Sequence, residues 1–146
     1  MKKLFKMLLA TLLTVVMAVS FASCSTQDII SPEKVEAKLK ELGYEIELIV
    51  DKDRLDQIEE TENCGDLLAV LTASVSEERG SYVVASVIWF KNKEDASAFA
   101  NQYQEYIDSI PEGYAEEVPE IVVKRNFVVM GFSGAFETIC EIMGAM

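Results

Sequence analysis

The stretch from Ser81 to Phe90 constrains this chain most. Val83, Val84, Val87, Ile88, Trp89 and Phe90 fill it almost without interruption. A strand with one wet face alternates apolar and polar residues, so a run this continuous belongs in the middle of a sheet. The chain must therefore build a sheet around it. Leu67 to Ser76 supplies a second strand, and Glu77-Glu78-Arg79-Gly80 between the two fits a hairpin connection. Tyr44 to Val50 alternates, with Tyr44, Ile46, Leu48 and Val50 on one side and Glu45 and Glu47 on the other, the signature of a half-buried strand. Ile121 to Met130 returns to strand, as one strand or as a tight hairpin about Arg125-Asn126.

Helices alternate with these strands. Ser31 and Pro32 open the first, Val35, Leu39 and Leu42 recur at helical spacing, and Gly43 stops it. Asp51-Lys52-Asp53 turns the chain into a short helix with Leu55 and Ile58 inward. Asn92 and Asp95 form a capping-box-like pair ahead of the longest apolar stripe, Ala96, Phe99, Ala100, Tyr103, Ile107 and Ile110. A terminal helix starts at Ser133 or Gly134, with Phe136, Ile139, Cys140 and Met143 inward. After the first helix the order reads β-α-β-β-α-β, then a closing helix. That order predicts an α+β, ferredoxin-like (split β-α-β) fold. It expects an antiparallel sheet with helices on one face, and right-handed crossovers that set the first and third strands side by side.

Upstream of the domain, Lys2, Lys3 and Lys6 precede an uncharged, mostly apolar run of 16 residues, Met7 to Ala22. That is short for a membrane-spanning helix of ~20 residues and matches the h-region of a signal peptide. Overlapping the end of this run, Phe21-Ala22-Ser23-Cys24 resembles a bacterial lipobox, in which a large apolar residue and two small ones precede a cysteine. The resemblance implies that Cys24 receives a diacylglyceryl group and becomes the first residue of the mature chain. Leu is usual where Phe21 stands. The same residues admit secretory cleavage near Ser23 or an uncleaved anchor, but run length and the tripartite pattern favour the lipoprotein. The chain then divides into a signal peptide (1–23), a short tether (24–30) and one α+β domain (31–146). A diacyl anchor holds stably, at about 0.8 kcal/mol for each buried CH₂. The expected address is exported and anchored to the bacterial cell membrane through the lipidated Cys24.

Charge and composition narrow the function. The leader holds three of the 13 basic residues and none of the 25 acidic ones, leaving 10 basic against 25 acidic, a charge of −15. Such a domain is a poor partner for nucleic acid, whose binding depends on Lys and Arg at phosphates. It has no histidine, so Ser-His and Cys-His catalytic pairs cannot form within the chain. Apart from Cys24 the cysteines are Cys64 and Cys140. An exported pair could close a disulfide worth ~3–5 kcal/mol, or remain two buried thiols. A zinc site lacks further soft ligands. No Gly-rich phosphate loop, Cys-x-x-Cys or GxSxG elbow is present, and no cofactor is expected.

The remaining candidates are weak. Asp51, Asp53 and Asp56 fail as a calcium loop, because Leu55 and Asp56 stand where such a loop needs an oxygen ligand and a glycine. They read better as acids at a helix N-terminus. Glu112, Tyr114, Glu116 and Glu117, with Glu120, sit in the loop between Pro111 and Pro119, a candidate partner-binding loop. Trp89, Phe90, Tyr103 and Tyr106 could form an aromatic platform for a sugar or peptide, though strand core and helix stripe explain them more simply. Lys124-Arg125 is the adjacent basic pair, placed to meet the acidic loop or to sit in a turn. The leading expectation is a membrane-tethered, non-catalytic domain that binds a protein, peptide or envelope component. A homodimer follows by analogy with ferredoxin-like domains that pair through their sheets. The alternative is a carboxylate-based hydrolase of envelope glycans, which needs two converging acids, one of them buried.

Overall fold

The computed structural model describes residues 30–77, 80–114 and 117–145. In chain order these form α1 (Pro32–Glu41), β1 (Glu45–Ile49), α2 (Lys52–Glu62), β2 (Leu67–Glu77), β3 (Gly80–Phe90), α3 (Lys93–Asp108), β4 (Glu120–Lys124), β5 (Phe127–Gly131) and α4 (Ala135–Met143). The five strands make one antiparallel sheet in the order β1-β2-β3-β5-β4. The run that begins at Ser81 is its central strand, as its composition required.

Local signals account for the element ends. Gly43, at φ +90°, closes α1 with a Schellman turn, its N–H on Lys40 O (3.0 Å) and the Tyr44 N–H on Leu39 O (3.1 Å). Asp51 caps α2 by accepting from the Arg54 N–H at 3.1 Å. Asn92 caps α3 through the Asp95 N–H at 2.8 Å, while its amide donates back to the Asp95 carboxylate at 2.8 Å. The segment from Ile121 onward is a hairpin, with Arg125 at φ +55° in its turn. Asn126 ties that turn to the end of β3, accepting from the Phe90 N–H (2.8 Å) and donating to Phe90 O (2.7 Å).

The sheet departs from the ferredoxin-like order in two ways. First, β1 lies at an edge beside β2, and β2 separates it from β3. Element order alone does not say whether the strand after a helix runs parallel or returns. Here Asn63 (φ +50°) and Gly65 (φ +83°) reverse the chain after α2, so β2 starts beside the end of β1, with Val70 opposite Ile49. Second, helices cover both faces rather than one. On one face Val35 and Leu39 of α1 and Phe136, Ile139, Cys140 and Met143 of α4 pack on Leu71, Val87, Trp89 and Val129. On the other, Leu55 of α2 and Ala96 and Ala100 of α3 pack on Ile49, Leu67, Ile88, Phe90 and Val128. The reason lies in the strands themselves. Alternate residues of β3 point to opposite faces, and from Ala85 to Phe90 both sets are buried and, apart from Ser86, apolar. Exposing either face would leave that surface in water.

Two register shifts adjust the pattern. One falls between Leu67 and Ala69, leaving Leu68 half-exposed and turning Leu67 to the α2/α3 face beside Phe90. The other falls at Ala73/Ser74 on β2, opposite Val83 to Ala85 on β3. Beyond it the β2–β3 hairpin extends past α1 and α4. Lys124 of β4 donates to Gly144 O at the C-cap of α4, a favourable place for a cation.

Candidate functional site

Where the hairpin outruns its covering helices, the α1/α4 face opens into a groove of about 560 Å³. Its lining comes from five places. Tyr44 follows the Schellman turn, Val75 to Glu77 end β2, and Tyr82 and Val84 begin β3. Glu117 arrives from the loop after α3, and Phe132, Ser133 and Ala135 form the entry to α4. Val75 pairs with Tyr82 across the hairpin, which places both on one face. Val75, Val84, Phe132 and Ala135 give an apolar floor, and Tyr82 stands half-exposed above it.

Two carboxylates meet this floor. The Tyr82 hydroxyl donates to Glu77 at 3.0 Å, and the Ser133 hydroxyl donates to Glu117 at 2.7 Å. The bond to Glu77 raises the Tyr82 pKa above its ordinary value of 10.0, and the Glu117 charge pushes the same way. Each carboxylate has about four lone-pair sites, so the one donor that each takes from among the described residues leaves sites over. Among the described residues lining the groove there is no lysine or arginine. Chemically the site can hold a group that is part apolar and part cationic.

No family model, curated protein or solved structure gives a significant match to this chain. The site therefore stands on its own geometry.

The residues singled out in the sequence fall in different places. Of the acidic loop, Glu117 reaches the groove, whereas Glu112 is exposed and Tyr114 is 84% exposed, away from it. Glu116 and Cys24 lie outside the described residues. Trp89 and Phe90 point to opposite faces and join separate cores, so they form no common platform with Tyr103 and Tyr106. Lys124 is committed to the end of α4 rather than to the acidic loop. Asp51 serves as the cap of α2. Among the described residues no group of His, Cys, Asp and Glu is arranged to hold a metal ion. Every described carboxylate is exposed except Glu36, Glu59 and Asp95, which are half-buried and held by protein donors. Tyr44, Glu77, Tyr82 and Phe132 were not singled out from sequence. The available signal was a tyrosine at the start of each of two strands, where a polar tip and an apolar ring suit a wet rim.

Cys64 and Cys140 are both free and buried. They belong to the cores on opposite faces of the sheet, so of the two alternatives the pair takes the second, two separate buried thiols. Burial raises both thiols; Cys140 goes from 9.0 to about 11, with the Glu120 charge adding to the effect. The sign of the consequence follows from proton counts. Below pH 9 both states hold the proton and the full stability is present. Between pH 9 and 11 the unfolded thiol ionises while the folded one does not, so stability falls as pH rises, by about 3 kcal/mol at most for Cys140. Cys140→Ala removes the Cys140 share of this dependence while costing some packing. Urea midpoints at pH 8 and pH 10.5 should therefore differ less in Cys140→Ala than in the wild type; equal differences would refute the assignment.

Proposed function

We propose that this chain is an exported lipoprotein, tethered to a bacterial membrane through Cys24, whose domain is a non-catalytic binding module. The observation that carries the tether is the leader: three lysines, an uncharged apolar run and Phe21-Ala22-Ser23-Cys24. The six residues from Ser25 to Ile30 span roughly 20 Å at full extension, so the domain works close to the lipid. Its ligand site is the groove between Tyr44, Tyr82 and Phe132, where aromatic rings, an apolar floor and two carboxylates converge. Pockets that bind small groups combine these elements, mostly apolar walls with a few placed polar groups.

A glycan hydrolase would need a buried acid facing a second one, and the half-buried Glu36, Glu59 and Asp95 are spent on Lys40, the Leu67 N–H and the α3 cap. Homodimerisation through a bare sheet face loses its basis as well, since both faces carry helices. The test of the tether is metabolic labelling. Full-length protein made in a bacterium fed radiolabelled palmitate should carry label and sediment with membranes. Cys24→Ser should lose the label. Unlabelled wild-type protein, or label retained in Cys24→Ser, would overturn the reading.

A further inference from the structure

We propose that the groove seats the side chain of a lysine or arginine from an extended segment of another polypeptide. This rests on the binding-module reading and names its ligand.

The chemistry of the lining selects the group. Lys and Arg carry an apolar stem and a charged head, and they lay the stem on apolar surface while the head stays in polar surroundings. Here Val75, Val84, Phe132 and Ala135 offer that surface, with Glu77 and Glu117 to meet the head. Glu77 takes one bond from Tyr82 and Glu117 one from Ser133, which orients both carboxylates and leaves acceptor capacity on each. The Tyr82 ring, half-exposed at the rim, adds a face on which a cation is attracted. An anionic ligand would face two carboxylates, and a purely apolar one would leave their hydration to be stripped without return. The whole chain, at −12, favours the approach of a cation.

The shape selects the carrier. A free small molecule is held by burying about 70–90% of its surface. This groove lies open along the end of the hairpin and covers one side of an occupant. A side chain projecting from a polypeptide needs no more than that, because its backbone stays outside.

The test uses full-length protein in detergent micelles and fluorescein-labelled octapeptides of alanine with two lysines, read by anisotropy at low salt. The expected result is saturable binding that weakens at least tenfold in the double variant Glu77→Gln/Glu117→Gln. It should change less than twofold in Glu60→Gln/Glu94→Gln, which removes the same charge from exposed positions on α2 and α3. Replacing both lysines by norleucine should abolish binding. Equal weakening in the two double variants would mean diffuse attraction to an acidic surface and would overturn the proposal. So would undiminished binding of the norleucine peptide, or no binding of the lysine peptide at all. If n-butylammonium competes as effectively as the peptide, the site is one for free amines and the polypeptide assignment falls. None of these outcomes depends on palmitate labelling, so failure here and failure of the tether are separately visible.

Discussion

Gly131→Ala should lower the melting temperature by more than about 10 °C, the largest effect of any single methyl in the domain. Gly131 ends β5 directly opposite Ala85 of β3. A Cβ built on it would lie 2.6 Å from the Ala85 Cβ, 2.7 Å from Val84 O and 2.8 Å from the Ala85 Cα. Two of those three atoms are backbone, and the strand that holds them is fixed from both sides by β2 and β5. The added methyl cannot be absorbed by a rotamer. It must push β5 away from β3 where Val84 O also accepts the Phe132 N–H at 2.9 Å. Overpacking costs ~1–3 kcal/mol where side chains can yield, and this position sits at the top of that range. For a domain of about 100 residues each kcal/mol moves the melting temperature by roughly 4–8 °C. Circular dichroism melts would measure the loss. Adding Ala85→Gly removes one of the three contacts and should recover part of it. A wild-type melt for Gly131→Ala would show that the two strands are not held this close.

The need for glycine at that point was not legible in the sequence. Gly131 follows Val128, Val129 and Met130 and looks like the end of a strand. The close approach arises from the pairing of β5 with β3, a contact between segments some 45 residues apart in the chain. Strand order was hidden for the same reason. Each strand declared itself by period and composition, and the β2–β3 hairpin by adjacency. Whether β1 paired with β2 or β3 depended on the direction in which α2 returned the chain. The left-handed pair Asn63 and Gly65 settles this, yet an Asn and a Gly after a helix mark only a turn and not the direction of the return. The signal for two-faced burial was present in β3, although the expectation put helices on one face only. Ala85, Val87 and Trp89 serve one core and Ile88 and Phe90 the other, which is what a continuous apolar run means.

The groove was harder to foresee than the fold. It depends on a shift of register at Ala73/Ser74, which puts Val84 and Tyr82 beside Val75. No glycine or proline adjoins that shift in the sequence of β2 or β3, so nothing in the local sequence marks it. Glu117 was noticed as part of an acidic loop, but its value comes from Ser133, which lies 16 positions later and holds its carboxylate over the groove. Charge density drew attention to the loop as a whole; among its described residues, geometry gives Glu117 a role in this site.

Phe90→Ala should cost about 3–5 kcal/mol, while Tyr106→Ala at the far end of the same aromatic row should cost well under 1. The row starts at Phe90, fully buried at the end of β3, and climbs α3 through Phe99 (ring centroids 5.6 Å apart), Tyr103 (6.2 Å from Phe99) and Tyr106 (6.1 Å from Tyr103). Burial falls along it: Phe90 is 0% exposed and Tyr106 is 62% exposed. The hydrophobic gain scales with area removed from water, so the energy concentrates at the inner end. Removing the Phe90 ring also leaves a cavity that Leu67, Ile88 and Val128, pinned in or beside strands, cannot close. Tyr106 gives up one tilted ring contact and little buried area. Urea unfolding of the two variants separates this gradient from the alternative, in which the four rings form a surface platform for a ligand. A platform would make both substitutions mild in stability. A loss of several kcal/mol confined to Phe90→Ala would place the row in the core that anchors α3 to the sheet.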